Sequence, residues 1–186
     1  MKKILLNETK QHIKDAFIRI YLDKKITTIT VKDICNEVPI SRNTFYNYYD
    51  NVYSVYEEIE SEILADIDRI TIDFSESDFL QGDIKKLYGI NEVLDYISEH
   101  SMYFRALLRH GGTNGFTYKW QKQIKEKFHK KYKKEISHKA ETEAYLVFTV
   151  SGITGICEYW INHPEKITKQ EILEGVYNMV CHEKRD

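Results

Sequence analysis

With 186 residues, 42% of them hydrophobic and 30% charged, the chain can bury a substantial core in one or two domains, and only 2 prolines and 8 glycines favour long uninterrupted helices. No run of 18 apolar residues occurs, and MKKILLNETK has three apolar residues between Lys3 and Asn7, which excludes a membrane span and a signal peptide. The net charge of −2 is segregated: residues 1–56 carry +3, 57–100 carry −10, 101–140 carry +9 and 141–186 carry −4.

Ile13, Ala16, Phe17, Ile20 and Tyr21 form an apolar stripe at helical spacing, which predicts a first helix from about Asn7 to Leu22. A lysine-bearing bridge at Lys24 and Lys25 follows. The stretch TVKDICNEVPISRNTFYNYY, residues 30–49, then reads as two short helices around a tight turn. Thr30 with Asp33 three residues on makes a capping box, and Val31, Ile34, Cys35 and Val38 supply the apolar face. Pro39 stops that helix because it lacks an N–H and restricts Val38 before it. Ile40 is an apolar plug, Ser41 caps the second helix, and Phe45 and Tyr49 turn inward with Ile40. Arg42, Asn43, Thr44, Tyr46, Asn47 and Tyr48 stay outside, an outward surface of donors without a carboxylate, suited to a DNA major groove. This is a helix-turn-helix. The basic first segment is the matching footprint, because the acidic middle repels phosphate, and +3 suits a small groove-reading contact.

The spacing of Thr30, Val31, Ile34, Cys35, Val38, Ile40, Ser41, Thr44, Phe45, Tyr46, Tyr48 and Tyr49 resembles the N-terminal domain of TetR-type transcriptional regulators, over roughly the first 55 residues. The family pattern there is T-x-x-x-I-A-x-x-A-G-V-S-x-G-T-L-Y-x-H-F. Departures are Pro39 for the turn Gly, Asn43 for a small residue, Tyr48 for the His, and Val52 where a Lys is common. The resemblance implies a DNA-binding dimer paired through its last two long helices. It also implies an inducer pocket in the second domain, as in ligand-released repressors.

Asp50 and Asn51 cap a long helix, expected from Asn51 to Phe74, with an apolar face at Val52, Val55, Ile59, Ile63, Ile67 and Ile70. Glu57, Glu58, Glu60, Glu62, Asp66 and Asp68 crowd the rest of it. It leaves the reader and enters the second domain, so it can act as a lever. Ser75 to Leu87 reads as a loop or short helix. Asn91–His100 and Met102–His110 read as two short helices that turn Val93, Leu94, Ile97, Tyr103, Phe104, Leu107 and Leu108 inward. Gly111 to Gly115 is a connection, not a phosphate cradle, since no Gly-Lys-Ser/Thr follows.

Trp120, Ile124, Phe128 and Tyr132 mark a lysine-rich helix from Phe116 to Ser137, its lysines solvated or turned toward the acidic helix. Residues 141–162 are the most hydrophobic helix (Tyr145, Leu146, Phe148, Val150, Ile153, Ile156, Tyr159, Trp160). Ser151, Gly152 and Gly155 interrupt it, as close approach of another helix requires. Pro164 ends it, Thr168 with Glu171 caps the last helix, and Ile172, Gly175, Val176, Met179 and Val180 line one side. Two apolar helices at the end of the chain exceed what one small bundle buries. They predict a homodimer interface through Phe148, Ser151, Gly152, Gly155, Tyr159, Ile172, Gly175, Val176 and Met179.

Signals of catalysis are weak. Glu126/His129 and Glu135/His138 have E-x-x-H spacing, but nine residues apart on one helix they point to opposite faces, and no metal or cofactor site is expected. Cys35, Cys157 and Cys181 are odd in number and scattered, fitting packed thiols in a reducing cytoplasm. Phe74, Tyr88, Tyr96, Tyr103, Phe104, Trp120 and Phe148 are candidates to line an effector pocket. Tyr103–Phe116 and GITGICEYWINHPEKIT, residues 152–168, are similar to regulators of the dihydroxyacetone-kinase type.

The expected protein is therefore all-α and not an enzyme. A helix-turn-helix DNA-binding domain (1–50) joins a regulatory and dimerisation domain (51–186) through a shared long helix. Thr30, Lys32, Tyr46 and Tyr48 position it on phosphates. Arg42, Asn43, Thr44 and Asn47 approach base edges, with Ser41 as the cap. The partners are a palindromic duplex read by a homodimer and an unknown small-molecule effector, with no membrane, and the outcome is repression. An activator of the same fold, or a helical small-molecule-binding or enzymatic bundle whose N-terminal domain docks protein, are the alternatives.

Overall fold

The computed structural model describes residues 2–71, 88–109, 115–131 and 140–181. Regular structure among them is helical throughout. The elements are α1 (Lys2–Tyr21), a 3₁₀ turn (Ile26–Thr28), α2 (Val31–Glu37), α3 (Arg42–Tyr46), α4 (Val52–Ile70), α5 (Tyr88–Glu99), α6 (Ser101–Arg109), α7 (Phe116–Lys131), α8 (Ala140–Asn162) and α9 (Lys169–Cys181). The chain divides into two compact units, Met1–Ala65 and Asp66–Asp186, and the division falls inside α4.

In the first unit α1 begins at Lys2, earlier than the stripe suggested, because Lys, Ile and Leu between residues 2 and 6 place no breaker in the way. Ile13, Ala16, Phe17 and Tyr21 are buried as expected. Ile18 is buried too, while Ile20 is only half-buried, since α1 is covered from more than one side. Helix α2 packs on it, and the Phe17 ring meets Tyr21 at 5.3 Å and Tyr56 of α4 at 6.5 Å. Lys10 and Lys14 reach from α1 to the carboxylates of α4: Lys10 to Glu58 at 2.7 Å, and Lys14 to Glu58 at 3.0 Å and Glu62 at 2.6 Å. Burial alone would raise the Glu58 carboxyl, but hydrogen bonds from Lys10 and Lys14 hold it below its ordinary range. Glu60, expected on the solvated side of α4, is buried beside Tyr21 and accepts a 2.9 Å hydrogen bond from the Tyr56 hydroxyl. The tyrosine supplies what water would have supplied.

The second unit is built on an aromatic centre. Phe104 of α6 lies 5.9 Å from the rings of Tyr96 and Phe116 and 6.1 Å from Trp120, and Val93, Leu94, Ile97, Leu107 and Leu108 of α5 and α6 are buried as well. Each such side chain, fully buried, contributes roughly 1.5–3 kcal/mol. Helix α8 packs on α6 and α7, burying Leu146, Val150, Thr154, Cys157 and Ile161 at helical spacing. The Thr154 hydroxyl donates to the Val150 carbonyl (2.9 Å) and accepts from Gln121 Nε2 (2.8 Å), so its burial is satisfied. Helix α9 starts at the expected cap, Thr168 N–H donating to Glu171 Oε2 at 2.8 Å, and packs on α5 with a Lys169–Asp95 ion pair. The described part of α4 ends at Ile70, short of Phe74; residues 72–87 lie outside the described residues, and with them Phe74 and the loop expected at 75–87. The glycine-rich connection (all but Gly115), the end of the lysine-rich helix, Glu135 and His138 lie outside them as well.

Among the described residues no helix is long and apolar enough to cross a membrane, and no cluster of His, Cys, Asp or Glu could hold a metal ion. Glu126 faces Lys122 (3.7 Å), and His129 faces Glu143 (3.1 Å).

Candidate nucleic-acid interface

Short-range chemistry alone forms the two helices of the reader. The Asp33 N–H donates to Thr30 Oγ1 (3.2 Å), and the Thr30 N–H and hydroxyl donate back to Asp33 Oδ2 (2.8 and 2.7 Å). These hydrogen bonds hold the Asp33 carboxyl below its ordinary range. Helix α2 closes at Glu37, two residues before Pro39, with the Val38 N–H on the Ile34 carbonyl. Ser41 then caps α3 by accepting from the Thr44 N–H (3.0 Å), and its hydroxyl shares a 2.8 Å hydrogen bond with that of Thr44. Helix α3 is a short turn-and-a-half, because the chain must curl after Tyr46 to seat Tyr49 under Phe45. Both rings are buried, 5.9 Å apart.

The outward face carries the residues expected there. Arg42, Asn43, Tyr46 and Asn47 are exposed, and Thr44 and Tyr48 are half-buried. No carboxylate interrupts the sequence from Thr44 to Tyr49, and those nearest on α2 are engaged: Glu37 by Arg19 (3.0 Å) and Asp33 by Lys24 (3.6 Å). Lys25, Lys32 and Arg42 are exposed and have no carboxylate partner among the described residues, so their charge is available to an anion. The structure gives Thr30 a different task from the phosphate contact expected of it. Its hydroxyl proton is directed at Asp33, so it shapes α2 instead of offering a donor.

In the second unit Phe104 and Trp120 are buried in the aromatic centre, Tyr96 and Tyr103 are half-buried, and Phe148 is 74% exposed. Phe148 therefore lines no interior surface of its own chain. The Trp120 indole N–H is buried with no acceptor among the described residues. Phe148, Ser151, Gly152, Gly155 and Tyr159 instead form an exposed face along α8, with Val147 beside it. A Cβ added at Gly152, Gly155 or Gly175 would meet nothing within 4 Å among the described residues, so no other described helix packs closely on these glycines. Ile172 and Val176 correct the expected interface. They are 2% and 4% exposed in the core of their own unit, where α9 meets α5, and are not free to meet a partner. The Met179 side chain lies outside the described residues.

A family model for the TetR-type transcriptional regulator C-terminal region matches residues 87–181, just over half of the chain. The chain belongs to the TetR-type regulators. This TetR-type regulator is 23% identical over 177 residues to the uncharacterised HTH-type transcriptional regulator YxbF of Bacillus subtilis (strain 168), a match covering 92% of the chain and 44% of that protein. It thus spans less than half the length of that curated relative. Among solved structures its fold is similar to a TetR-family regulator from Streptomyces coelicolor (TM-score 0.63, 16% identity, 94% of this chain and 79% of that one). The fatty acid degradation regulator FadR of Bacillus halodurans is also similar (TM-score 0.60, 15% identity, 95% and 96%). So is the dihydroxyacetone kinase operon activator DhaS (TM-score 0.52, 20% identity, 92% and 91%).

Two features of this TetR-type regulator escaped the sequence. Lys14 is a buried cation whose partners lie across the α1–α4 contact, which no local spacing announces, and Glu60 is a buried carboxylate whose donor, Tyr56, sits one turn back on α4 itself. Ile18 gave a weak signal, as an apolar residue one position off the main stripe, and its burial marks the second face of α1.

Proposed function

We propose that this TetR-type regulator is a sequence-specific DNA-binding repressor that works as a homodimer in the cytoplasm and is released by a small-molecule effector. Residues 1–50 are the reader and 51–186 the regulatory and dimerisation domain. The observation that carries the reading is the exposed, carboxylate-free rim of α3, where Arg42, Asn43 and Asn47 offer the groups that pair with guanine and adenine edges. Thr44 adds a hydroxyl, and Lys32, Tyr46 and Tyr48 set the register on phosphates, with Ser41 holding the helix start. The exposed α8 face of Phe148, Ser151, Gly152, Gly155 and Tyr159, with Gly175 of α9, supports a two-fold pairing of copies. Tyr96, Tyr103, Phe104 and Trp120 support an effector site, with the Trp120 N–H as its donor. A gel shift with DNA upstream of the protein's own reading frame, against random DNA of equal length, tests it. A retarded specific complex supports the reading, and equal affinity for both DNAs rejects it.

Activation is the second reading. It is favoured by the similarity of residues 103–116 and 152–168 to regulators of the dihydroxyacetone-kinase type, and by the similarity of the fold to DhaS, an operon activator. Transcription from the bound promoter in vitro separates the two signs.

A further inference from the structure

Helix α4 is held by lysines at two places, and the two holds differ in strength. In the first unit Lys14, its side chain 7% exposed, bridges Glu58 and Glu62 one turn apart, and Lys10 adds a second bond to Glu58. In the second unit Lys127 of α7 donates to the Asp68 carbonyl (2.8 Å), the Asp68 carboxylate (3.1 Å) and the Thr71 hydroxyl (3.0 Å). Tyr96 of α5 donates its hydroxyl to Asp66 Oδ2 (2.8 Å). These contacts gather on the last turn of α4, where the negative end of the helix attracts a cation. The Lys127 and Asp68 side chains are 27% and 53% exposed. An exposed ion pair is easily given up, whereas breaking a buried one strands a charge without water. A load on α4 is therefore relieved at Lys127, and at the single hydrogen bond of Tyr96, before it disturbs the buried Lys14.

We propose that Lys127 and Tyr96 form a releasable clamp on the C-terminal turn of α4, and that they are positioning residues for DNA recognition although they lie outside the reader. The DNA half of this inference rests on the reading given under Proposed function; the clamp itself does not. Opening the clamp lets α4 sample more positions. A dimer on a palindrome must then order more on binding, whereas a single half-site imposes no spacing.

The test compares the full chain with its Lys127→Met, Tyr96→Phe and Lys14→Met variants by amide hydrogen exchange, and by titration of the palindromic operator and of an isolated half-site. Lys127→Met and Tyr96→Phe are expected to speed exchange at residues 66–71 about five- to tenfold and leave residues 52–62 unchanged, while Lys14→Met speeds exchange at 52–62. The two clamp variants are expected to lose about three- to tenfold in affinity for the palindrome and none for the half-site. Unchanged exchange at 66–71 in both variants overturns the clamp. Faster exchange with equal losses on palindrome and half-site, or with no loss on either, overturns the positioning role. If the unaltered chain binds no operator, the reading as a DNA-binding regulator fails, and the exchange comparison still decides the clamp.

Discussion

Phe45 is the side chain on which the shape of the reader depends, because it is fully buried between Tyr46 (5.6 Å) and Tyr49 (5.9 Å) at the back of α3. Phe45→Ala is expected to cost about 3–5 kcal/mol, measured by chemical denaturation, since a cavity opens where α3 has no other inward anchor. The Thr30–Asp33 cap adds a pH dependence of known sign. The Asp33 carboxyl is held below its ordinary value in the folded chain, so its stabilisation is fully present above that ordinary value and is lost as pH falls through the lowered one. Thr30→Ala is expected to cost about 1 kcal/mol near pH 6, with the gap to the unaltered chain narrowing in melts run at pH values below the ordinary carboxylate range. Burial pushes the Cys157 thiol up to about 12, and burial also raises Cys35 despite the Arg42 charge nearby. Cys157 is therefore expected to resist a thiol reagent at pH 8 until the chain unfolds, while the half-buried Cys35 reacts slowly in the native state. The caps and Phe45 were legible in the sequence because their partners sit three or four residues away. Lys14 was not, because its burial is explained only by carboxylates the fold brings from another helix, and Glu60, whose Tyr56 donor sits four residues back, was hidden among the acidic residues of α4.

Helices α3 and α8 show how an exposed face can be read. On α3 the exposed groups are polar and carry a positive charge, which suits a duplex. On α8 they are apolar or small, which suits another helix. The glycines of α8 were expected to sit under a close helix, yet a Cβ at Gly152 or Gly155 has open space among the described residues of the single chain. Gly155→Ala is therefore expected to stabilise the isolated chain by roughly 0.5–1 kcal/mol and to weaken self-association. Sedimentation equilibrium beside thermal melts checks both halves, and stronger association in the variant would contradict the proposed pairing. Ile172 and Val176 carry the opposite lesson. Their spacing marked an apolar stripe correctly, but periodicity says that a stripe is covered and not by what. Here the stripe is buried within its own unit, in which α9 packs on α5.

For the whole molecule, the all-helical architecture was legible because few breakers and persistent 3.6-residue spacing leave little else to form. Whether the second unit takes an effector was not, because its aromatic centre serves its own packing first, with Phe104 and Trp120 buried among neighbours as core residues are. Pairing of two copies would set the reading helices about 34–36 Å apart, one turn of duplex. Inserting half a helical turn between operator half-sites is then expected to abolish tight binding, and a full turn to restore part of it. The most direct measurement is the affinity of Arg42→Ala for the operator and for random DNA at one salt concentration. The rim of α3 predicts a loss of roughly 10- to 100-fold on the operator and only a slight loss on random DNA. Equal losses on the two, or none on either, would contradict base reading by this helix.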